Sequence, residues 1–350
     1  MTVATLCRRP ILRLATPPAR KASPWCIVLA AGEGARMNPM ADRRPVENRP
    51  KQYGTFVGSR SMFQRTVDRA RCVAPEDRIL SVIGHGHRRF LPSAAIGPVP
   101  GMVIEEPNNL GTAPGIFLSL AHILAIDPEA CVVLLPSDHF VNPEHCFVRH
   151  VMDACKLVER QRDQAVLLAA VPDRPGGEFG WIQPRKAGRA ASKGAMRVLG
   201  FRERPGLAES CGLFEDGCLW NTMIMVARAR TLWEIGRRCL PEMMNWFDAF
   251  LMLLRDIQTG KLGPEMKALA PLRLYKELSP ADFSRDILQQ AAGQFMVLPM
   301  EGVEWCDWAC PERVTEALAR LNRPHLFPAE SGAASAGGAR PAFTVSEIHA

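Results

Sequence analysis

No C-x-x-C pair occurs among the eleven cysteines of this 350-residue chain. Cys306 and Cys310 are four apart and Cys211 and Cys218 seven apart, and neither pair has a zinc-type partner pair nearby. The thiols therefore read as buried free cysteines of a reducing, cytoplasmic compartment. A long apolar run is also missing. The stretch at 25–31 is far too short to span a bilayer, which argues against a membrane protein. Basic residues before it and an Ala-Ala-Gly end give it the outline of a signal peptide. It is read instead as the first core strand. Acidic residues are absent from residues 1–24, which hold Arg8, Arg9, Arg13, Arg20 and Lys21. The net charge is +7, so this end leaves only +2 for the remainder. Overall basicity thus gives no argument for a nucleic-acid partner. There is no internal repeat and no hexapeptide period toward the C-terminus.

What is present suits a globular α/β protein. The hydrophobic fraction is 47%, and the length sits at the upper edge of what one core supports. One domain is predicted over residues 25–323. A basic leader (1–24) and an Ala/Gly-rich tail (324–350) read as disordered by composition. Buried strands are predicted at Trp25–Ala30, 79–83, 102–105, 131–135 and 165–171, and further strands at 196–203 and 223–226. Ser61 and Gln64 form a capping box ahead of a helix to Cys72. Thr112 is expected to cap a helix running to about Ile126, with Pro114 tolerated in its first turn. Further helices are expected near 143–160, 229–239, 242–257 and 311–322, with loops and a hairpin over 172–195. This alternation predicts a mostly parallel sheet with helices on both faces.

The first strand empties into IVLAAGEGAR (27–36), and Arg49-Pro50-Lys51-Gln52 follows closely. Glycines let backbone approach a bulky anion, and N–H groups at a strand-to-helix turn favour phosphate. Arg36 and Lys51 would add full charge. A bare Gly32-x-Gly34 is weak evidence taken alone. The third glycine of the dinucleotide fingerprint is replaced by Met37, and the Gly-Lys-Ser/Thr of a P-loop is absent. Asp138 ends a buried strand, where a carboxylate has little structural reason to be and where ligands of open α/β sheets bind.

The segments IVLAAGEGARMNPM and RPKQYGTFVGSRSMFQRTVDRA are followed in order by EEPNNLGTAPGI (105–116), LLPSDHFV (134–141), GFRERP (200–205), LWNTMIMVARA (219–229) and VEWCDWACPERV (303–314). Together they resemble the sugar-phosphate nucleotidyltransferases, and within them the mannose-1-phosphate guanylyltransferase group. The resemblance implies a Rossmann-like three-layer α/β/α nucleotide-diphospho-sugar transferase fold with a mostly parallel central sheet. It implies GTP and a sugar 1-phosphate as partners, with GDP-mannose and pyrophosphate as products. Two polyanions must then meet. Each close like-charge pair costs about 1 kcal/mol in water and about 4 at an effective dielectric near 20. Cations and positioning should dominate, with no covalent nucleophile.

Carried over residue by residue, the resemblance makes Arg36 the holder of the leaving pyrophosphate. Lys51 meets the α-phosphate and the incoming sugar phosphate. Ala31, Gly32, Gly34, Gly111 and Thr112 contact the nucleotide. Gly180, Glu203, Arg204 and Asn221 grip the sugar phosphate. Asp138 and Asp307 become the ligands of Mg²⁺, which prefers oxygen donors and keeps its waters. Asp307 also reads as a turn or cap residue ahead of the Pro311 helix, and Glu203 as a partner of Arg202 or Arg204. His139 is left structural, because an ionised sugar phosphate needs no base. Several positions depart from the family pattern: Ala35 for threonine, Gln183 for glutamate, Arg204 for lysine, Thr222 for serine, and Ala309 and Cys310 for a glycine and a small hydroxyl residue. If the turn after Asp307 needs positive φ, Ala309 strains it. Uridylyl, thymidylyl or cytidylyl transfer stays open, as does a nucleotide-sugar-binding regulator without turnover. A dinucleotide oxidoreductase is disfavoured by Met37. A monomer and a homo-oligomer are both compatible with the sequence.

Overall fold

The computed structural model describes residues 23–33, 49–92, 98–185, 194–263, 265–308 and 311–320. In chain order the elements begin with Trp25–Ala30 (β1), Met62–Arg71 (α1), Ile79–Ile83 (β2), Met102–Glu105 (β3), Thr112–Ile126 (α2), Cys131–Pro136 (β4) and Phe140–Asn142 (β5). Glu144–Arg160 (α3), Ala165–Ala170 (β6), Gly180–Pro184 (β7), Met196–Glu203 (β8), Leu207–Glu215 (α4) and Leu219–Arg228 (β9) follow. The remainder is Ala229–Cys239 (α5), Pro241–Gln258 (α6), Met266–Glu277 (α7), Phe295–Pro299 (β10), Glu304–Cys306 (β11) and Pro311–Arg320 (α8).

Among the described residues, a 9-stranded sheet runs in the order β3-β2-β1-β4-β9-β6-β10-β8-β7. The sheet is mixed, which is less uniform than the mostly parallel sheet expected. β3, β2, β1 and β4 are parallel neighbours, as are β6 and β10. β9 lies antiparallel between β4 and β6, and β8 is antiparallel to both β10 and β7. The parallel expectation rested on the alternation of strands and helices, whereas apolar residues on both sides of a strand do not by themselves report its direction.

Alternation along the central strands supplies two cores. Ile27, Leu134, Leu167 and Met225 face one way and pack with Phe117 of α2 and Phe247 of α6. Val28, Leu135, Leu168 and Val226 face the other way and pack with Phe63 of α1 and Phe147 of α3. Helices therefore cover both faces. The period-two alternation of side chains in a strand produces this division.

Local signals held where chemistry dictated them. Ser61 accepts from the Gln64 N–H at 3.2 Å, and Gln64 Oε1 accepts from the Ser61 N–H at 2.8 Å. At α2 the expectation fails. Gly111 is the N-cap, and Thr112 is the first helical residue with no capping bond. Gly111 has φ +94, and a Cβ there would sit 2.4 Å from the Ala281 carbonyl oxygen, so only glycine fits. The second half of the chain is more regular than its composition suggests: α4, α7 and β10 lie where no element was expected. The cysteines within the described residues are free, but only Cys26, Cys155 and Cys218 are buried. No described helix is long and apolar enough to cross a membrane. Replacing Ser61 with Ala removes one half of the capping box, and chemical denaturation should show a loss of about 1 kcal/mol.

Candidate active site

Strand β1 delivers Ala31 and Gly32 to the end of the sheet, where a short 3₁₀ turn, Lys51–Tyr53, packs beneath them. Gln52 Nε2 donates to the carbonyls of Ala30 at 3.0 Å and Gly32 at 2.6 Å, and the Tyr53 hydroxyl donates to Ala30 at 3.1 Å. These bonds fix the glycine turn and put Lys51 beside it. Gly34 and Arg36, with Ala35, lie outside the described residues.

Strand β4 ends beside β1, and Ser137 bonds the Leu29 carbonyl through both its N–H (3.0 Å) and its hydroxyl (2.8 Å). Asp138 comes next and meets Lys51, with Nζ 2.7 Å from Oδ2. The same ammonium donates to the Asp307 carbonyl at 3.1 Å. A small second sheet makes this meeting possible. β11 pairs antiparallel with β5, with Cys306 opposite Phe140, so the chain after β11 is brought beside the chain before β5. Trp308 then stacks on Phe140 at 4.9 Å and meets the edge of Phe56 at 5.5 Å.

Lys51 thus joins the Asp138 carboxylate to the backbone of Asp307, whose own carboxylate lies 2.7 Å from Arg313. Both carboxylates are hard oxygen donors of the kind that suit Mg²⁺, and each is paired with a side-chain cation here, Asp138 with Lys51 and Asp307 with Arg313. Among the described residues no group of three or more His, Cys, Asp or Glu forms a metal cage. The remaining ligands would have to be phosphate oxygens and water, the usual state of affairs for Mg²⁺. Burial raises the Asp138 carboxyl, but Lys51 and His139 outweigh it, so it lies below the ordinary range. His139 is lowered by burial despite the neighbouring Asp138 and Asp307. Its ring packs edge-on against Trp305 at 5.1 Å, in keeping with a structural role.

Around this junction the surface opens into two adjoining hollows of about 410 and 440 Å³. Lys51, Asp138, Glu203 and Arg204 line both. One hollow adds Ala31, Gly32, Gly111 and Thr112, the residues expected to hold a nucleotide. The other adds Gly180, Asn221 and Asp307. Every expected site residue that is described lies in this double cleft.

Local geometry explains why these side chains face it. At Gly180 a Cβ would sit 2.8 Å from Glu203 Oε2, so the glycine leaves room for that carboxylate. β9 bulges against β6 between Leu168 and Ala169, the Thr222 hydroxyl bonds the Leu168 carbonyl, and Met223 takes φ +56. The bulge turns Asn221 toward Ser284, with Nδ2 3.4 Å from its Oγ. The non-glycine residues with positive φ among those described are Arg204, Met223 and Trp308, at the cleft or directly beside it. Backbone strain of this sort clusters at functional sites. The sequence points to strain at Ala309; the left-handed residue described is its neighbour Trp308, while Ala309 and Cys310 lie outside the described residues. Glu203 is near Arg204 (3.6 Å), whereas Arg202 pairs with Glu209 (3.3 Å). Burial and Asp282 raise the Glu203 carboxyl.

Residues 25–249 match the family described as nucleotidyl transferase. The chain belongs to that family. It is 31% identical over 223 residues to the xanthan biosynthesis protein XanB of Xanthomonas campestris pv. campestris (strain B100), covering 63% of this chain and 45% of the relative. It is 29% identical over 299 residues to a mannose-1-phosphate guanylyltransferase of Salmonella montevideo, covering 83% of this chain and 55% of the relative. The chain thus spans about half the length of these curated relatives. Its fold is similar to the crystal structure of a mannose-1-phosphate geranyltransferase from Thermus thermophilus, with a TM-score of 0.68, 22% identity, and coverage of 82% of this chain and 76% of that one.

Three cleft residues escaped the sequence reading. Glu106 follows β3, is 3% exposed, and lines the hollow that also holds Ala31 and Gly111. The Tyr275 hydroxyl donates to its Oε1 at 2.6 Å, and burial pushes its carboxyl up to about 7 despite that bond. The reasoning that singled out Asp138, a carboxylate at the end of a buried strand, applies equally to Glu106. Glu178 and Arg313 line the other hollow, and only the tertiary fold brings them together.

The lowered Asp138 carboxyl stabilises the fold above its unfolded range and ceases to do so as pH falls through its folded value. Thermal unfolding between pH 7 and 3 should therefore show a steeper acid loss for wild type than for Asp138→Asn. Equal slopes would contradict the assignment.

Proposed function

We propose that this chain joins a sugar 1-phosphate to a nucleoside triphosphate and releases pyrophosphate, with mannose 1-phosphate and GTP as substrates and GDP-mannose as product. The observation that carries the reading is the Lys51 ammonium at the junction of two hollows, tied to Asp138 on one side and to Asp307 on the other. The resemblance to relatives that bear the guanylyltransferase name supports the choice of substrates.

A phosphate oxygen of the sugar phosphate attacks the α-phosphorus in line. A new P–O bond forms, the bond from the α-phosphorus to the bridging oxygen breaks, and its electron pair leaves with pyrophosphate. The nucleophile is already ionised, so no residue need remove a proton. Lys51 lies where both anions converge and offsets their repulsion, an electrostatic contribution that is largest in a desolvated site. Asp138 and Asp307 would hold Mg²⁺, which supplies charge neutralisation at the phosphates. Glu203 and Asn221 accept and donate to sugar hydroxyls and fix orientation. Arg204 keeps positive charge beside them. Arg36 matches the position that would restrain the leaving pyrophosphate.

Glu106 supports guanine as the base. An ionised carboxylate offers only acceptors, and guanine presents two neighbouring donors, N1–H and the 2-amino group. Adenine presents one donor beside an acceptor and would need the protonated acid. Since the carboxyl lies near 7, the ionised fraction grows as pH rises.

A panel of four nucleoside triphosphates against several sugar 1-phosphates, with Mg²⁺, should release pyrophosphate, best with GTP and mannose 1-phosphate. No release from any pairing at high enzyme would sink the reading. Asp138→Asn should lower turnover by about a hundredfold or more, the size expected when an electrostatic group is removed from such a site. The GTP-over-ATP ratio in kcat/KM should rise between pH 6 and 8, and Glu106→Gln should flatten that rise; a pH-independent ratio in wild type would remove the base assignment.

A further inference from the structure

Arg313 sits on α8, and its side chain is 14% exposed at the wall of the sugar-side hollow. One guanidinium nitrogen lies 2.7 Å from Asp307 Oδ1 and the other 2.9 Å from Glu178 Oε1. The guanidinium carbon stands 4.6 Å over the ring of Phe179, the residue between Glu178 and Gly180. Arg174 also reaches Glu178 Oε1, at 3.1 Å. One planar group therefore joins three parts of the cleft: the turn carrying Asp307, the segment entering β7, and the C-terminal helix. A guanidinium presents donors in a rigid fork, so it sets the spacing of the two carboxylates as well as neutralising them.

We propose that Arg313 is a positioning residue for the sugar-phosphate side of this site, and that the Glu178 it holds is a second hydroxyl acceptor across the hollow from Glu203. The ligand it serves is a polyhydroxylated sugar phosphate, and the proposal rests on the nucleotidyl transfer reading above. Glu178 Oε1 is committed to the arginines, and its other oxygen belongs to the same carboxylate at the hollow's wall. Without Arg313 two carboxylates would line one wall with their common cation gone. The nucleotide side shares no residue with this clamp, since neither Glu178, Arg313 nor Asp307 lines that hollow. Asp307 also serves the proposed metal, so the effect of losing the clamp should fall chiefly on the sugar phosphate and is read most directly in its binding without metal.

The test uses the full chain, with mannose 1-phosphate and GTP as probes. Arg313→Met should raise KM for mannose 1-phosphate by about tenfold or more, the loss expected for one or two misplaced charged hydrogen bonds, while KM for GTP changes by a clearly smaller factor. Calorimetric binding of mannose 1-phosphate without metal should weaken by a similar factor. Arg313→Lys keeps the charge without the fork and should recover only part of the affinity. Glu178→Gln should weaken the sugar phosphate alone. Parallel changes in both KM values, full rescue by lysine, or wild-type binding in Arg313→Met would overturn the proposal. If Arg313→Met does not fold, Arg313→Lys and Glu178→Gln decide by the same ratios. Binding is read without turnover, so a wild-type chain that binds mannose 1-phosphate but releases no pyrophosphate rejects the transfer reading; loss of that binding in the variants still supports the clamp.

Discussion

A single ammonium group organises the cleft. Lys51 bonds Asp138 at the end of β4 and the carbonyl of Asp307 after β11, and it lies at the border of both hollows. A lysine in this place has to be held, because a flexible four-carbon stem loses rotamer freedom when it is fixed. The 3₁₀ turn holds it from below. Gln52 and the adjoining Tyr53 are buried and bonded to the end of β1, and Gln52 also to the turn after it. Site and core are continuous here: the residues that anchor the lysine also close the second hydrophobic cluster, to which Tyr53 belongs.

The mixed sheet has a purpose that a parallel one would not serve as well. β9 runs against its neighbours, so its first residues, not its last, lie at the end of the sheet where β4 and β6 stop. Asn221 is among those residues, and the bulge that follows turns it to the cleft. β7 and β8 extend the same edge and bring Gly180 opposite Glu203. The side proposed to take the sugar is therefore built from antiparallel strands and the side proposed to take the nucleotide from parallel ones. This division matches the chemistry proposed for each: backbone at a glycine turn for phosphates, and fixed side chains for hydroxyls.

The cleft also concentrates charge of both signs. Lys51 with Asp138, and Arg313 with Asp307 and Glu178, form close pairs along one wall. Pairing with Lys51 holds the Asp138 carboxyl below its ordinary range despite burial. Glu106 has no such cation among the described residues. Its partner is the Tyr275 hydroxyl, and burial leaves its carboxyl near 7. Two strand-end carboxylates of one cleft are thus shifted in opposite directions, because one faces an ammonium and the other is buried against a neutral donor.

Sequence alone determined the strands with strong local identity. Buried runs such as β1, β4 and β6 and the Ser61 capping box were legible because period, length and capping chemistry act over a few residues. Ordered motifs also singled out the residues expected to hold nucleotide and sugar, and the described ones line one double cleft. The order and direction of strands were decided by tertiary structure. A fully apolar strand is equally content beside a parallel or an antiparallel neighbour, so β9 between β4 and β6 leaves no local mark. The Thr112 cap failed for the same kind of reason: its hydroxyl accepts from the Phe283 N–H at 2.7 Å, a partner from a distant segment. Glu178 and Arg313 lie far apart in the chain, and nothing in either neighbourhood announces their contact. Only the β5–β11 pairing and the docking of α8 bring them together, because long-range ion pairs depend on where the backbone has already been placed.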